Sequence, residues 1–419
     1  MNLKSIAIVW AQYGPYHFAR VAALRQQAGK ITIVALELAN RTGDYAWRRG
    51  AGADGMITIC PDSVYEELTF TTVFLRTRRE LARRGIDVCL LPSYSPKQCL
   101  AALLAAKSLG VRTVMMNDSH AGTARSGRLG TWVKRWLVAT FAAALVAGQP
   151  QKRYFSSLGL PKEKIITGYD AVDNDYFAAK TEEVRNRAPE SRTQYDLPEH
   201  YFLNLGRFVA KKNLDTLIRA YALFLDTSQR RETHLVLVGS GEEESKLRKL
   251  CDELRLPKYD HPPGCLAKST GEAPGVHFYG FRQIEENPVF YGLADAFILP
   301  SLYEEWGLVV NEAMACGLPA IVSKTAGCAE DLLEIGVPSD SRNGDAAAIQ
   351  KFRLGSQVRK NGFVIDPKSP GELSRVMLCL AESPGLRMVM GGQSRRIVEK
   401  FSCQNFAKNA IEAARLATQ

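Results

Sequence analysis

No G-x-G-x-x-G turn follows the first apolar strand of this sequence. The loop there reads A-Q-Y-G-P-Y-H, which disfavours a Rossmann-type NAD enzyme. No C-x-x-C pair occurs among the nine cysteines. Cys89, Cys316 and Cys379 sit in apolar runs and read as small buried hydrophobes in a reducing compartment, not as metal ligands or disulfide partners. Residues 139–147 are apolar but too short to span a bilayer. Residues 1–7 enter a strand after a single lysine and do not resemble a signal peptide. The expectation is a cytoplasmic protein, with peripheral contact at the inner face of the cell membrane left open. An aromatic–basic module of the kind that grips nucleic acid is also missing, so no nucleic-acid partner is expected.

The net charge is nevertheless +10, which favours an anionic partner: a nucleotide diphosphate or an acidic membrane surface, with a nucleic-acid-binding protein as the rival reading. At 419 residues the chain exceeds the size at which one core stops growing, so two domains are expected. In the first half, strands are expected over 5–10, 31–36, 88–91 and 112–116, with helices over 68–84, 96–109 and 129–144 and a strand at 142–148 overlapping the last of them. This β–loop–α–β order starts a doubly wound sheet. The 68–84 helix carries Arg76, Arg78, Arg79, Arg83 and Arg84, and the 129–144 helix carries Trp132, Lys134, Arg135 and Trp136. Each suits either a solvated face or an anionic membrane surface. Residues 180–199 are polar, broken by Pro189 and Pro198, and read as a linker. Segments 257–275 and 337–358 read as inserted loops.

The second half is organised around residues 296–327. An apolar strand runs through Pro300 into a polar loop with Glu304 and Glu305. Gly307 then opens a helix expected over 309–316, and a second strand follows at 320–323. A loop at the carboxyl end of a parallel strand is where open α/β sheets place ligands. The helix start beyond Gly307 offers unpaired amides to an anion. Glu304 and Glu312 either serve the helix dipole as solvated acids or accept hydrogen bonds from the hydroxyls of one ligand. Upstream, G-R-F-V-A-K-K-N places Arg207 and Lys212 after a strand at 201–205; two cations there suit a diphosphate.

The run E-E-W-G-L-V-V-N-E-A-M-A-C-G-L-P from Glu304 resembles the donor-site signature of retaining glycosyltransferases of family 4, whose two glutamates are separated by seven residues. The G-R-x(4)-K pattern ending at Lys212 resembles the same family's donor-phosphate arginine and lysine, with Asn213 in place of the usual glycine. The resemblance implies a GT-B fold: two Rossmann-like α/β domains facing an interdomain cleft. Its expected divisions are an acceptor-side domain over 1–180, a linker over 181–199, a donor domain over 200–400, and a helix over 401–419 that crosses back to the first domain.

By the same resemblance Glu304 lies near the donor sugar, Gly307 and the amides of Leu308 and Val309 approach the diphosphate, and Glu312 binds the ribose. Gly239 falls in the glycine turn near the nucleotide. Phe281, with Arg282 and Gln283, lies beside the base. Gly14 belongs to the acceptor or phosphate loop, where His17 and Arg20 also read as solvated helix residues. His120 is the cleft histidine, not assigned as a general base. The implied partners are a nucleoside-diphosphate-sugar, UDP- or GDP-linked, and a saccharide, lipid-linked saccharide or small hydroxyl acceptor, in bacterial surface polysaccharide synthesis. No cofactor or metal is expected. The rival enzymes are a sugar phosphorylase and an epimerase-like relative of the same fold.

Overall fold

The computed structural model describes residues 3–43, 55–124, 127–228, 232–261, 273–338 and 357–419. The chain divides into one unit of residues 1–173 and 400–419 and a second of residues 174–399.

The first unit is built on seven strands: β1 Ser5–Trp10, β2 Thr32–Arg41, β3 Met56–Val64, β4 Val88–Leu91, β5 Arg112–Asn117, β6 Ala143–Val146 and β7 Ile165–Thr167. Their order is β3-β2-β1-β4-β5-β6-β7, and every pairing is parallel. Such a sheet must bury both faces, and the side-chain alternation shows it doing so. Ala7 and Val9 point into a core shared with Leu81, Leu103 and Phe155. Ile6, Ile8 and Trp10 point into the opposite core, under the helices Pro15–Gln27 and Cys403–Thr418. The carboxyl-terminal helix therefore completes the amino-terminal unit.

The second unit holds β8 His200–Leu205, β9 Thr233–Val238, β10 Lys258–Asp260, β11 Val276–Phe278, β12 Ala296–Leu299, β13 Ala320–Ser323, β14 Val358–Arg359 and β15 Gly362–Ile365. The order is β10-β11-β9-β8-β12-β13-β15-β14, parallel except for β14 against β15. Strands β8 and β12 lie side by side, and the chain leaves them in opposite directions across the sheet. That is a topological switch point, where the loops at the carboxyl ends diverge and leave a crevice.

Several expectations need correction. Residues 181–199 are not a linker. They lie within the second unit, where 181–186 end the helix Asn174–Asn186 and 188–195 form the helix Ala188–Tyr195. Pro189 sits in the first turn of its helix, where a missing N–H costs nothing. The helix expected over 129–144 ends at Ala139, and β6 takes the overlap. Strand β3 was not anticipated, and β10 lies inside the expected 257–275 loop. Residues 262–272 of that loop and 339–356 of the 337–358 insertion lie outside the described residues. Eight of the cysteines are described, and all eight are buried.

Three histidines run in a chain across the edge strands of the second sheet. His277 Nε2 lies 2.8 Å from His234 Nδ1, its Nδ1 lies 2.8 Å from His261 Nε2, and His261 Nδ1 lies 3.5 Å from an Asp196 oxygen. Burial, helped by the two neighbouring imidazoles, pushes His277 down to about 2, and burial pushes His234 down to about 4. An unfolded chain takes up these protons near pH ~6.5 and the folded chain does not, so the stability is fully present above that pH and lost as pH falls. The loss for His277 is about 1.4 kcal/mol per pH unit. The urea midpoint is expected to drop between about pH 7 and pH 5, with a smaller drop in His277→Phe. Equal midpoints for the native chain at both pH values would contradict the reading.

Candidate functional site

The loop after β8 is pinned before it presents any charge. Phe208 is buried and its N–H donates to Ser240 O at 2.8 Å. Asn213 closes the loop in the left-handed region, φ +57°, and its Nδ2 donates to Pro300 O at 2.9 Å and Pro367 O at 2.7 Å. Asparagine tolerates this region as glycine does, and it adds two side-chain ties that glycine could not make. Lys211 and Lys212 lie in the short turn between these anchors, and Arg207 is exposed at its start.

The loop after β12 meets them. Leu302 N–H donates to Lys211 O at 2.9 Å. The Glu304 carboxylate is buried between two ammonium groups: Lys212 pairs with its Oε2, and Lys211 Nζ lies 3.3 Å from its Oε1 and 2.7 Å from Glu305 Oε2. Burial alone would raise the Glu304 carboxyl, but Lys212 and then Lys211 outweigh it and hold it below the usual range. Burial likewise opposes the charge on Lys211, and Glu304 and Glu305 reverse that and raise it. A solvated helix-start acid would show neither effect.

Gly307 turns the chain at φ +106°, and a Cβ there would lie 2.9 Å from Leu299 Cδ2. The helix Leu308–Ala315 starts directly after it, so the Leu308 and Val309 amides are first-turn amides. Trp306 is buried, and its Nε1 donates to Asn311 Oδ1 at 2.9 Å, fastening the turn to the helix. Glu312 is 0% exposed and accepts from Tyr291 OH at 2.8 Å. Gly239, after β9, backs the β8 loop. A Cβ on it would lie 1.8 Å from Gly206 O, and φ is +137°. Gly239→Ala is expected to cost at least about 2 kcal/mol of stability through backbone displacement. An unchanged melting temperature would contradict this. Phe281 lies exposed just past β11, and Arg282 beside it donates to His261 O at 2.7 Å.

The structure thus brings Arg207, Lys212, Glu304 and the Gly307 turn to the ends of two adjacent strands. Sequence reasoning missed Lys211, although the doubled lysine was its signal, and it missed Tyr291 altogether.

Gly14 and His120 belong to the first unit, after β1 and β5. His17 Nδ1 accepts the Gly14 amide at 2.9 Å, and burial pushes that imidazole down to about 3, so it stays neutral and shapes the loop. Arg20 is not solvated either. It is 1% exposed, lies 3.3 Å from Asp170 and donates to Ala171 O at 2.9 Å. His120 Nδ1 accepts the Gly122 amide at 3.1 Å, which fixes the ring within its own turn. Glu37, midway along β2, is buried and accepts from Tyr13 N–H at 3.1 Å and the Thr58 hydroxyl at 2.6 Å, a contact with no sequence signal. Among the described residues no group of three or more His, Cys, Asp or Glu side chains could hold a metal ion.

The family model described as "Glycosyl transferases group 1" matches residues 188–337. The chain is 27% identical over 267 residues to an uncharacterized glycosyltransferase, MJ1607, of Methanocaldococcus jannaschii, covering 63% of this chain and 57% of that protein. It is 27% identical over 187 residues to O-antigen chain mannosyltransferase B of Escherichia coli, covering 44% of each. The chain spans about half the length of the curated relatives it matches. Among solved structures, Anabaena HepE in complex with UDP has a TM-score of 0.65 at 16% identity, covering 98% of this chain and 99% of that one. WaaG, a glycosyltransferase involved in lipopolysaccharide biosynthesis, has a TM-score of 0.60 at 16% identity, covering 97% and 98%. The fold is thus of the GT-B class, built from two Rossmann-like α/β units.

Proposed function

We propose that this chain transfers a sugar from a nucleoside-diphosphate-sugar to a hydroxyl acceptor with retention of anomeric configuration. One observation carries the proposal. Lys211 and Lys212, in the loop after β8 that Arg207 opens, clasp the buried carboxylate of Glu304, which adjoins the Gly307 helix start at the switch point of the second sheet. In the proposed complex the diphosphate lies between Arg207, Lys212 and the amides of Leu308 and Val309. Glu312 accepts from the ribose hydroxyls, and the Gly239 and Phe281 loops serve the nucleotide.

The bond from the anomeric carbon to the diphosphate oxygen breaks, and its electron pair leaves with the diphosphate. In this reading Lys212, Arg207 and the helix amides stabilise that charge, with little reorganisation as it develops. The acceptor oxygen attacks from the same face, held in position by binding, and its proton passes to a phosphate oxygen. Retention rests on the family resemblance. A saccharide acceptor in surface polysaccharide synthesis is supported by the printed names of the Escherichia coli mannosyltransferase and of WaaG.

The test pairs UDP-, GDP-, ADP- and dTDP-sugars with saccharide and lipid-linked acceptors. Release of one nucleoside diphosphate, matched by a product of retained configuration in the proton NMR spectrum, is expected. A sugar 1-phosphate product, or an inverted linkage, would contradict the proposal.

A further inference from the structure

The helix Arg128–Ala139, between β5 and β6, is amphipathic in the wrong sense for a core helix. Its inward anchor is Val138, fully buried. Leu129, Trp132, Val133 and Trp136 are 79%, 67%, 42% and 61% exposed. At about 100° per residue these four fall within an arc of about 100°, roughly opposite Val138. Arg135 falls about 60° beyond one edge of that arc, whereas the half-buried Lys134 lies on the Val138 side. Two tryptophans, a leucine and a valine therefore form one outward stripe with an exposed arginine beside it.

The sequence around the helix carries one sign of charge. Between Asp118 and Glu163 the sequence has no acidic residue, while it carries Arg125, Arg128, Lys134, Arg135, Lys152 and Arg153. At the helix C-terminus, Lys107 Nζ donates to Thr140 O. Arg78, from the helix Phe70–Arg84, donates to Ser108 Oγ at 3.2 Å, one residue along from Lys107. Burial and the nearby Arg112 both hold Lys107 below its usual range, a sign of crowded cations. A second copy of this chain is a poor occupant, since each copy carries +10 and the two cationic surfaces would repel. An anionic lipid surface complements both features. Indole rings settle at the headgroup level, and lysine and arginine reach the phosphates beside them.

We propose that this helix docks the protein on an anionic bilayer, lying in the interface with Trp132 and Trp136 at headgroup depth and Arg135 on a lipid phosphate. The proposal does not depend on the glycosyl-transfer reading. It is tested by floating the full chain with vesicles of phosphatidylcholine plus phosphatidylglycerol and with phosphatidylcholine alone. The native chain is expected to float with the anionic vesicles, less so with added salt, and to have its fluorescence quenched by brominated lipid. The double variant Trp132→Ser, Trp136→Ser is expected to lose at least about tenfold in partitioning and most of that quenching. Its melting temperature should be unchanged, because both side chains face solvent. Arg135→Gln should weaken binding to anionic vesicles and leave the neutral ones unaffected. No flotation with anionic vesicles, or equal flotation of the tryptophan variant, would overturn the proposal. So would a native dimer in sedimentation that becomes a monomer in that variant, because the stripe would then be an interface between copies.

Discussion

Lys212→Ala is expected to lower the rate of sugar transfer by at least about a hundredfold, the usual cost of deleting one pre-placed group on developing charge. The ammonium is held in place from several sides. Its turn is fixed by Asn213 and by the Leu302–Lys211 bond, and Glu304 orients the group itself. Removing it leaves Glu304 with Lys211 at 3.3 Å, so the carboxylate keeps a partner and the fold should survive. An arginine at 212 should restore only part of the rate, because a planar fork does not replace a compact charge in that turn. Initial rates of nucleoside-diphosphate release, with a thermal melt as control, decide the matter. Native turnover in a folded Lys212→Ala variant would remove this lysine from the site.

Glu304→Gln should have a comparable effect on rate and the opposite effect on diphosphate binding. The substitution keeps the shape and deletes the charge that holds two lysines together. Transfer should fall at least about a hundredfold, because the cations lose the geometry in which they meet the leaving group. Affinity for the free nucleoside diphosphate should stay level or rise, since one negative charge beside an anion has gone. The variant is expected to melt lower, as two partly buried lysines lose a paired carboxylate. A rate near native, or a diphosphate affinity that collapses along with the rate, would contradict this role. The first result would make Glu304 a mere structural counter-ion. The second would place it on the nucleotide.

The site was most legible where local chemistry and global fold agree. The strand–loop–helix–strand unit from β12 to β13 could be read because an apolar run, Pro300, Gly307 and Gly317 punctuate it at every change of direction. Strands β1, β4, β12 and β13 begin and end where expected, each a short apolar run buried on both faces. Strand β3 escaped because it is a sheet edge whose exposed Pro61 and Asp62 look like a turn. The helices of 174–195 escaped because proline was taken as a breaker where it starts a helix. Arg20 is the clearest failure. Nothing local tells a buried arginine from a solvated one, since its partner Asp170 lies 150 residues away. Lys211 failed for the opposite reason: it stood next to a better-known lysine and was passed over.

The central claim, a nucleoside-diphosphate pocket at the switch point of the second sheet, is tested most directly by a thermal-shift titration of the full chain. The ligands are UDP, GDP, ADP and dTDP. A ligand that binds only the folded state stabilises it by mass action, about 2.7 kcal/mol at a hundredfold excess over Kd. One of the four is expected to raise the melting temperature with a saturable dose dependence, and the shift should shrink in Lys212→Ala. No shift with any of the four at millimolar concentration, or one that is undiminished in the variant, would contradict the account.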